Sequence, residues 1–357
     1  MTWRKTVATG WIAGLLALFA GLGVSSGLSA ASEPLPALGI ELDATSVSGL
    51  SAGAYMAEQI ELTHASHLVG AGIVAGGPFA CAESASGRAH VLWNELGSWE
   101  NEVRSGTSCM QISAGVPDPK TLADRAKELA EAGEIDPVAS LAAHKVYLFT
   151  GAKDEIVLSP VVEAAASFYK ALGVPDANVH LEHSPVAGHS FITKTKGNDC
   201  GTSEKPYVSH CGYSLARAIL EWIYGRPLAD PGPEPTGSFI VFDQSVFDKS
   251  PPDGLAEDGV VYVPAACAGT NSGCRLHVVL HGCQQNRDAV GEDFIKESGF
   301  AELADKNKLV ILFPQTGLAA TNGCFDWWGY TGLDFMGREA PQIAAIWAMV
   351  ERLAAQP

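Results

Sequence analysis

The sequence predicts an α/β fold built on one mostly parallel central sheet. Three observations predict it. Strand-like and helix-like segments alternate along the chain, the order of elements that feeds a parallel sheet flanked by helices. The segment Gly49-Leu50-Ser51-Ala52-Gly53 fits G-x-S-x-G, a turn that joins a strand to a helix so sharply that the serine hydroxyl stands clear of the backbone. The length, finally, suffices for one large α/β domain.

In chain order, Ile40 to Val47 alternates loosely like a strand, and Ala52 to Leu62 (AGAYMAEQIEL) reads as a helix, so the two flank the serine turn. Leu68 to Ala75 is strand-like, Leu122 to Ala132 helical, Lys145 to Thr150 strand-like and Val161 to Leu172 helical. Val179 to His183 follows as a strand and Tyr213 to Tyr224 as an amphipathic helix. The one clear break is Gly225 to Gly237 (GRPLADPGPEPTG), whose four prolines mark a linker. Beyond it Phe239 to Gln244, Val260 to Pro264 and Leu276 to His281 are strand-like. A helix at Phe294 to Lys306, a strand at Leu309 to Phe313 and a helix at Pro341 to Leu353 complete the chain.

The first residues have the pattern of an export signal. Arg4 and Lys5 form a basic start, Trp11 to Val24 an apolar stretch, and Ser29-Ala30-Ala31 the small residues of a cleavage site after Ala31. Removing 31 of 357 residues leaves 326. No later stretch approaches the ~20 apolar residues of a membrane span. Export makes the eight cysteines disulfide candidates. Eight allow about 105 pairings, and proximity along the chain selects Cys81–Cys109, Cys200–Cys211, Cys267–Cys274 and Cys283–Cys324. Zinc-type cysteine spacings are absent, and no cofactor or metal is implied. The formal charge is −17, and loss of Arg4 and Lys5 takes it to −19. Such a surface repels phosphate backbones, which argues against nucleic acid as a partner and suits an uncharged substrate.

A nucleophilic serine needs a base, and the base an orienting acid. Asp154, in Gly151-Ala152-Lys153-Asp154, directly follows the apolar strand VYLFT, at the strand end where sites of parallel sheets gather. Asp176 and Asp199 are weaker candidates, because neither closes a strand. His189 lies in the loop after the next strand, where the base belongs. Of the other histidines, His64 and His67 fall on or just after the elbow helix and His180 and His183 inside a strand, while His90, His144 and His210 have no matching context. Two N–H groups must meet the developing oxyanion. One is that of Ala52, after the serine; the other belongs to a loop carrying a His-Gly signal, which Leu280-His281-Gly282-Cys283 supplies through Cys283. His281 is expected to be structural.

In the ordinary α/β-hydrolase order the His-Gly strand precedes the serine; here it follows by more than two hundred residues. A circular permutation restores the order: read from the linker, the second half runs first, ends in the C-terminal helix and continues into the serine strand. Two domains split at the linker are the alternative, but one half would lack a nucleophile and the other an oxyanion loop.

With these motifs placed, the chain resembles the extracellular poly(3-hydroxybutyrate) depolymerases, in the subgroup whose serine motif precedes the oxyanion loop. That subgroup includes a permuted single-domain fungal form. The matching segments are GLSAGAYM (Gly49 to Met56), GAKDEIV (Gly151 to Val157), AGHSF (Ala187 to Phe191), LHGCQQ (Leu280 to Gln285) and Cys324-Phe325-Asp326-Trp327-Trp328. The resemblance implies Ser51 as nucleophile, Asp154 and His189 as its partners, and Ala52 and Cys283 as oxyanion donors. It also implies an apolar crevice for a polyester chain, for which Trp327, Trp328 and Tyr330 are the lining candidates. Many relatives append a linker and a substrate-binding domain. This chain stops at Pro357, so residues 32–357 are expected to be the catalytic domain alone, monomeric, acting on amorphous polymer, oligomers or shorter esters. A secreted feruloyl or acetylxylan esterase is the alternative enzyme, and a non-catalytic polyester-binding protein the alternative of another class.

Overall fold

The computed structural model describes residues 32–89, 94–232, 235–249, 253–269 and 272–357; the export signal expected over 1–31 lies outside the described residues. The first half of the chain runs β1 (Thr45–Leu50), α1 (Ala52–Thr63), β2 (Leu68–Val74), α2 (Ala85–Arg88), α3 (Asn94–Thr107) and α4 (Pro119–Glu131). Then come β3 (Lys145–Gly151), α5 (Ser159–Ala171), β4 (Val179–Ser184), the short strands β5 (Phe191–Thr193), β6 (Asn198–Asp199) and β7 (Val208–His210), and α6 (Leu215–Tyr224). The second half adds β8 (Ser238–Asp243), β9 (Asp258–Val263), β10 (Arg275–Leu280), α7 (Arg287–Val290), α8 (Asp293–Glu297), α9 (Phe300–Asn307), β11 (Leu309–Phe313) and α10 (Pro341–Ala354).

The central strands are buried along nearly their whole length, as strands must be when helices cover both faces. Helix boundaries follow local chemistry. Ser214 Oγ accepts the Arg217 N–H at the start of α6, and Gly225 closes that helix at φ 61°, the left-handed conformation a C-terminal glycine adopts without strain. Pro119 and Pro341 open α4 and α10, where the missing N–H costs nothing. No helix among the described residues is long and apolar enough to cross a membrane.

Eight strands make one sheet in the order β4-β3-β2-β1-β10-β11-β9-β8. Every pairing is parallel except those of β9 with β8 and β11. Counted from the linker, with β8 as first and β4 as eighth, the strands stand first, second, fourth, third, fifth, sixth, seventh, eighth. This is the α/β-hydrolase sheet, entered at a different point of the chain. The two ends meet as the permutation requires: Leu38 N–H donates to Leu353 O at 3.0 Å, Gly39 N–H to Ala355 O at 3.0 Å and Ile40 N–H to Leu353 O at 3.4 Å. Residues 32–357 form one compact unit.

Three local expectations need correction. The serine strand begins at Thr45 rather than Ile40, because residues 38–40 bond to the end of α10 and Leu42–Ala44 form a single 3-10 turn, closed by Thr45 Oγ1 donating to Leu42 O at 2.7 Å. The helix expected over Phe294 to Lys306 is two, α8 and α9, parted at Gly299 with φ 88°. The linker is not a free tether: Ala229 N–H donates to Asn307 Oδ1 at 2.9 Å, and Asn307 Nδ2 returns a bond to Ala229 O at 3.1 Å. The second sheet, β5-β7-β6, and the helix α3 have no counterpart in the sequence reading.

Candidate active site

Ser51 sits between β1 and α1 with φ 56° and ψ −121°, a conformation that a residue with a side chain occupies only under strain. The two glycines of the motif make that turn sterically possible. A Cβ at position 49 would lie 2.1 Å from Gly53 O, and one at position 53 would lie 2.3 Å from Leu280 O and 2.5 Å from His281 O. A side chain at either site would force the backbone to move, because the obstructing atoms are backbone. Ser51 N–H donates to Val74 O at 2.9 Å, and Ser51 O accepts from Ala54 and Tyr55. The serine is therefore held from three sides.

Asp154 and His189 come together from the ends of β3 and β4. Asp154 Oδ2 lies 2.8 Å from His189 Nδ1, and Oδ1 accepts the N–H groups of Ile156 and Val157 at 2.9 Å each. A carboxylate so occupied leaves the Nδ1 proton on the ring, which makes Nε2 the basic nitrogen. Both side chains are buried. The loops that carry them touch: a Cβ at Gly151 would lie 2.2 Å from Ala187 O, and Lys153 N–H donates to that same carbonyl at 3.0 Å. Ser51 and His189 line one cavity of about 320 Å³. They are not hydrogen-bonded to one another.

The His189 loop hangs on the small second sheet. Gly188 N–H donates to Cys200 O at 3.0 Å, His189 N–H to Ser203 Oγ at 2.8 Å and Phe191 N–H to Tyr207 O at 2.8 Å. The Cys200–Cys211 bond closes this flap. Tyr207, which no sequence motif marks, lines the cavity and packs edge-on against the His189 ring at 6.4 Å.

Ala52 opens α1, so its N–H is one of the donors left free in a first helical turn. The loop after β10 approaches from the other side: a Cβ at Gly282 would lie only 3.5 Å from Ser51 Cβ. The Cys283 N–H has no acceptor among the described residues. His281 is structural. Its Nδ1 donates to Gly282 O at 2.8 Å and its Nε2 accepts the Thr316 N–H at 3.2 Å, while burial lowers its pKa to about 4 and keeps the ring neutral.

All four cysteine pairs expected from proximity are bonded, and Cys283 joins Cys324. Trp327 and Trp328 form part of the cavity wall, Trp327 lying flat on Tyr55 of α1 at 3.9 Å and Trp328 edge-on to Trp327 at 5.4 Å. The Asp326 carboxylate shapes this wall by accepting five bonds, from the N–H groups of Trp328, Gly329, Tyr330 and Thr331 and the Thr331 hydroxyl. Tyr330 is not among the lining residues. Its hydroxyl donates to Cys324 O at 2.7 Å and accepts from Gln342 Nε2 at 2.8 Å, so it braces the wall from behind.

The competing residues lie elsewhere. Asp176 faces Lys170 at 3.4 Å and Asp199 faces His210 at 3.6 Å. His144 is buried against Glu61 and Ala65, and His64 stacks on Trp347; His90 is outside the described residues. A serine–histidine hydrogen bond does occur elsewhere, Ser46 Oγ to His277 Nδ1 at 2.7 Å, within the sheet. There the other ring nitrogen meets Ser48 Oγ at 2.8 Å and burial lowers the pKa to about 3, so that imidazole is fixed and neutral. The cavity itself is lined by Leu50, Met110, Ile156 and the two tryptophans, with Glu102 its only acidic side chain and no Lys or Arg among the described residues.

Known proteins share this fold. No protein-family model matches the chain. It is 42% identical over 322 residues to a poly(3-hydroxybutyrate) depolymerase of Delftia acidovorans, covering 89% of this chain and 61% of that protein, so it spans about three-fifths of that relative's length. It is 33% identical over 342 residues to a polyhydroxybutyrate depolymerase of Talaromyces funiculosus, covering 90% and 93%. Among solved structures it is similar to a PHB depolymerase from Penicillium funiculosum at 32% identity and TM-score 0.78, with 90% of this chain and 99% of that one covered. A PHB depolymerase complexed with an R3HB trimer matches at 31% identity with the same TM-score and coverage. On this identity, coverage and shared fold, the chain belongs to the poly(3-hydroxybutyrate) depolymerase family.

Proposed function

We propose that the chain is a secreted serine esterase that hydrolyses poly(3-hydroxybutyrate) or its oligomers through Ser51, His189 and Asp154. The carrying observation is the 2.8 Å bond from Asp154 to His189, the histidine that lines the same cavity as Ser51. Ser51 Oγ attacks the ester carbonyl while His189 Nε2 takes its proton. The carbonyl oxygen, now negative, is met by the N–H groups of Ala52 and Cys283. Collapse breaks the ester C–O bond, and His189 returns the proton to the departing alcohol. Water, deprotonated by the same imidazole, then frees the acid and restores Ser51. Asp154 keeps the ring oriented and stabilises its charged form throughout.

An apolar cavity with a single acidic side chain suits a neutral polyester better than a charged substrate. The relative complexed with an R3HB trimer supports that substrate class. Four disulfides and the signal pattern of residues 1–31 support export to periplasm or medium. The test is product analysis on amorphous poly(3-hydroxybutyrate) beside aryl and acetyl-sugar esters. Release of 3-hydroxybutyrate monomer or oligomers, lost in Ser51→Ala, is the expected outcome. Turnover confined to the aryl or sugar esters would overturn the substrate, and activity surviving in Ser51→Ala would overturn the mechanism.

A further inference from the structure

We propose that Gln285 is a positioning residue for this hydrolysis, setting the oxyanion loop and the histidine-bearing flap in fixed register. The proposal rests on the roles of Ser51, His189 and Cys283 given above. Gln285 lies two residues beyond Cys283 and is 2% exposed. Both ends of its amide are used. Oε1 accepts the Gly282 N–H at 2.7 Å, and Nε2 donates to Pro206 O at 2.9 Å and to Tyr207 O at 3.0 Å. No other side chain among the described residues hydrogen-bonds the oxyanion loop to the flap.

Each end acts on a different half of the machinery. Gly282 and Cys283 carry consecutive N–H groups, and capture of the first by Gln285 leaves only that of Cys283 for the cavity. At the other end, Tyr207 O also accepts the N–H of Phe191, two residues past His189. The carbonyl gripped by Gln285 is thus the one that seats the strand into which the His189 loop runs. An oxyanion donor contributes only when it is aimed before charge develops, and a misplacement of about 1 Å costs on the order of 10²-fold in rate. One amide therefore fixes the donor relative to the proton acceptor.

The test compares Gln285→Glu and Gln285→Met. The first keeps an acceptor for Gly282 N–H but turns an oxygen toward two carbonyls; the second, of similar length, bonds neither side. Turnover of a soluble 3-hydroxybutyrate trimer is measured per active site, counted with a fluorophosphonate that labels Ser51. Both variants are expected to lose about 10- to 100-fold in kcat with KM changed by less than about 3-fold. A trifluoromethyl ketone, whose hemiketal with Ser51 carries the oxyanion, should bind more weakly in the same proportion. Wild-type kcat per labelled site in Gln285→Glu would overturn the coupling, as would a loss confined to KM. Fewer labelled sites, each turning over normally, would show a folding role alone and overturn it equally. Failure of the wild-type protein to label or to cleave the trimer would strike the assignment of Ser51 instead. Should one variant not fold, the other decides.

Discussion

Ser51 holds its hydroxyl at φ 56°, and the geometry around it explains both what was legible and what was not. The glycines at 49 and 53 are readable in the sequence because the turn cannot form without them. Gly53→Ala would press a methyl against the carbonyls of Leu280 and His281. It should cost about 1–3 kcal/mol in stability and lower kcat by moving the oxyanion strand, read by urea denaturation beside single-turnover assays. Ser51→Ala and His189→Ala should each lower kcat by several orders of magnitude with the fold retained. Asp154→Asn should lose on the order of 10⁴, the magnitude for the equivalent serine-protease change; near-normal turnover in any of the three would refute its role. Tyr330 could not be told from its tryptophan neighbours, because a turn around Asp326 decides which rings face the cavity. Tyr330→Phe should therefore cost roughly 0.5–1.5 kcal/mol and leave KM for oligomers unchanged. A raised KM would return Tyr330 to the cavity wall.

At the scale of elements, the long buried strands were readable and the short ones were not. β5 and β7 have three residues each and β6 two, too few to show a pattern against their surroundings. Yet they place His189, whose own motif was plain. α3 escaped for another reason: Leu96, Trp99 and Val103 recur at helical spacing but face solvent, being 43%, 59% and 42% exposed. The Cys283–Cys324 bond links two elements that the sequence keeps apart, the oxyanion loop and the tryptophan wall. Cys283→Ser with Cys324→Ser should destabilise by about 2–5 kcal/mol. It should also lose part of its turnover at temperatures where it stays folded, less than Ser51→Ala does, because the backbone N–H survives. Full activity in a folded double variant would separate the bond from catalysis.

The whole molecule was legible through the order of its motifs. A His-Gly strand after the serine made sense only if the chain had been reopened elsewhere, and the bonds from residues 38–40 to the end of α10 mark the old junction. What composition could not show is that the proline-rich segment lies packed against Asn307, since prolines limit the backbone without saying what lies beside it. One shared core predicts that residues 32–225, expressed alone, will not fold. Their serine strand β1 would lack β10 on one side, exposing a bare, apolar sheet edge. A cooperative unfolding transition in that fragment would refute the single core.

The same pairing governs when the protein can form. At the centre of the sheet Ser46 stands opposite His277, and their side chains bond across 231 residues of sequence. Contacts so distant are reached late and slowly, because the intervening loop must close before anything rewards it. During synthesis the serine strand emerges early and waits for a neighbour made near the end. Such a delay suits the export proposed above, since a chain that stays unfolded for most of its own production stays threadable.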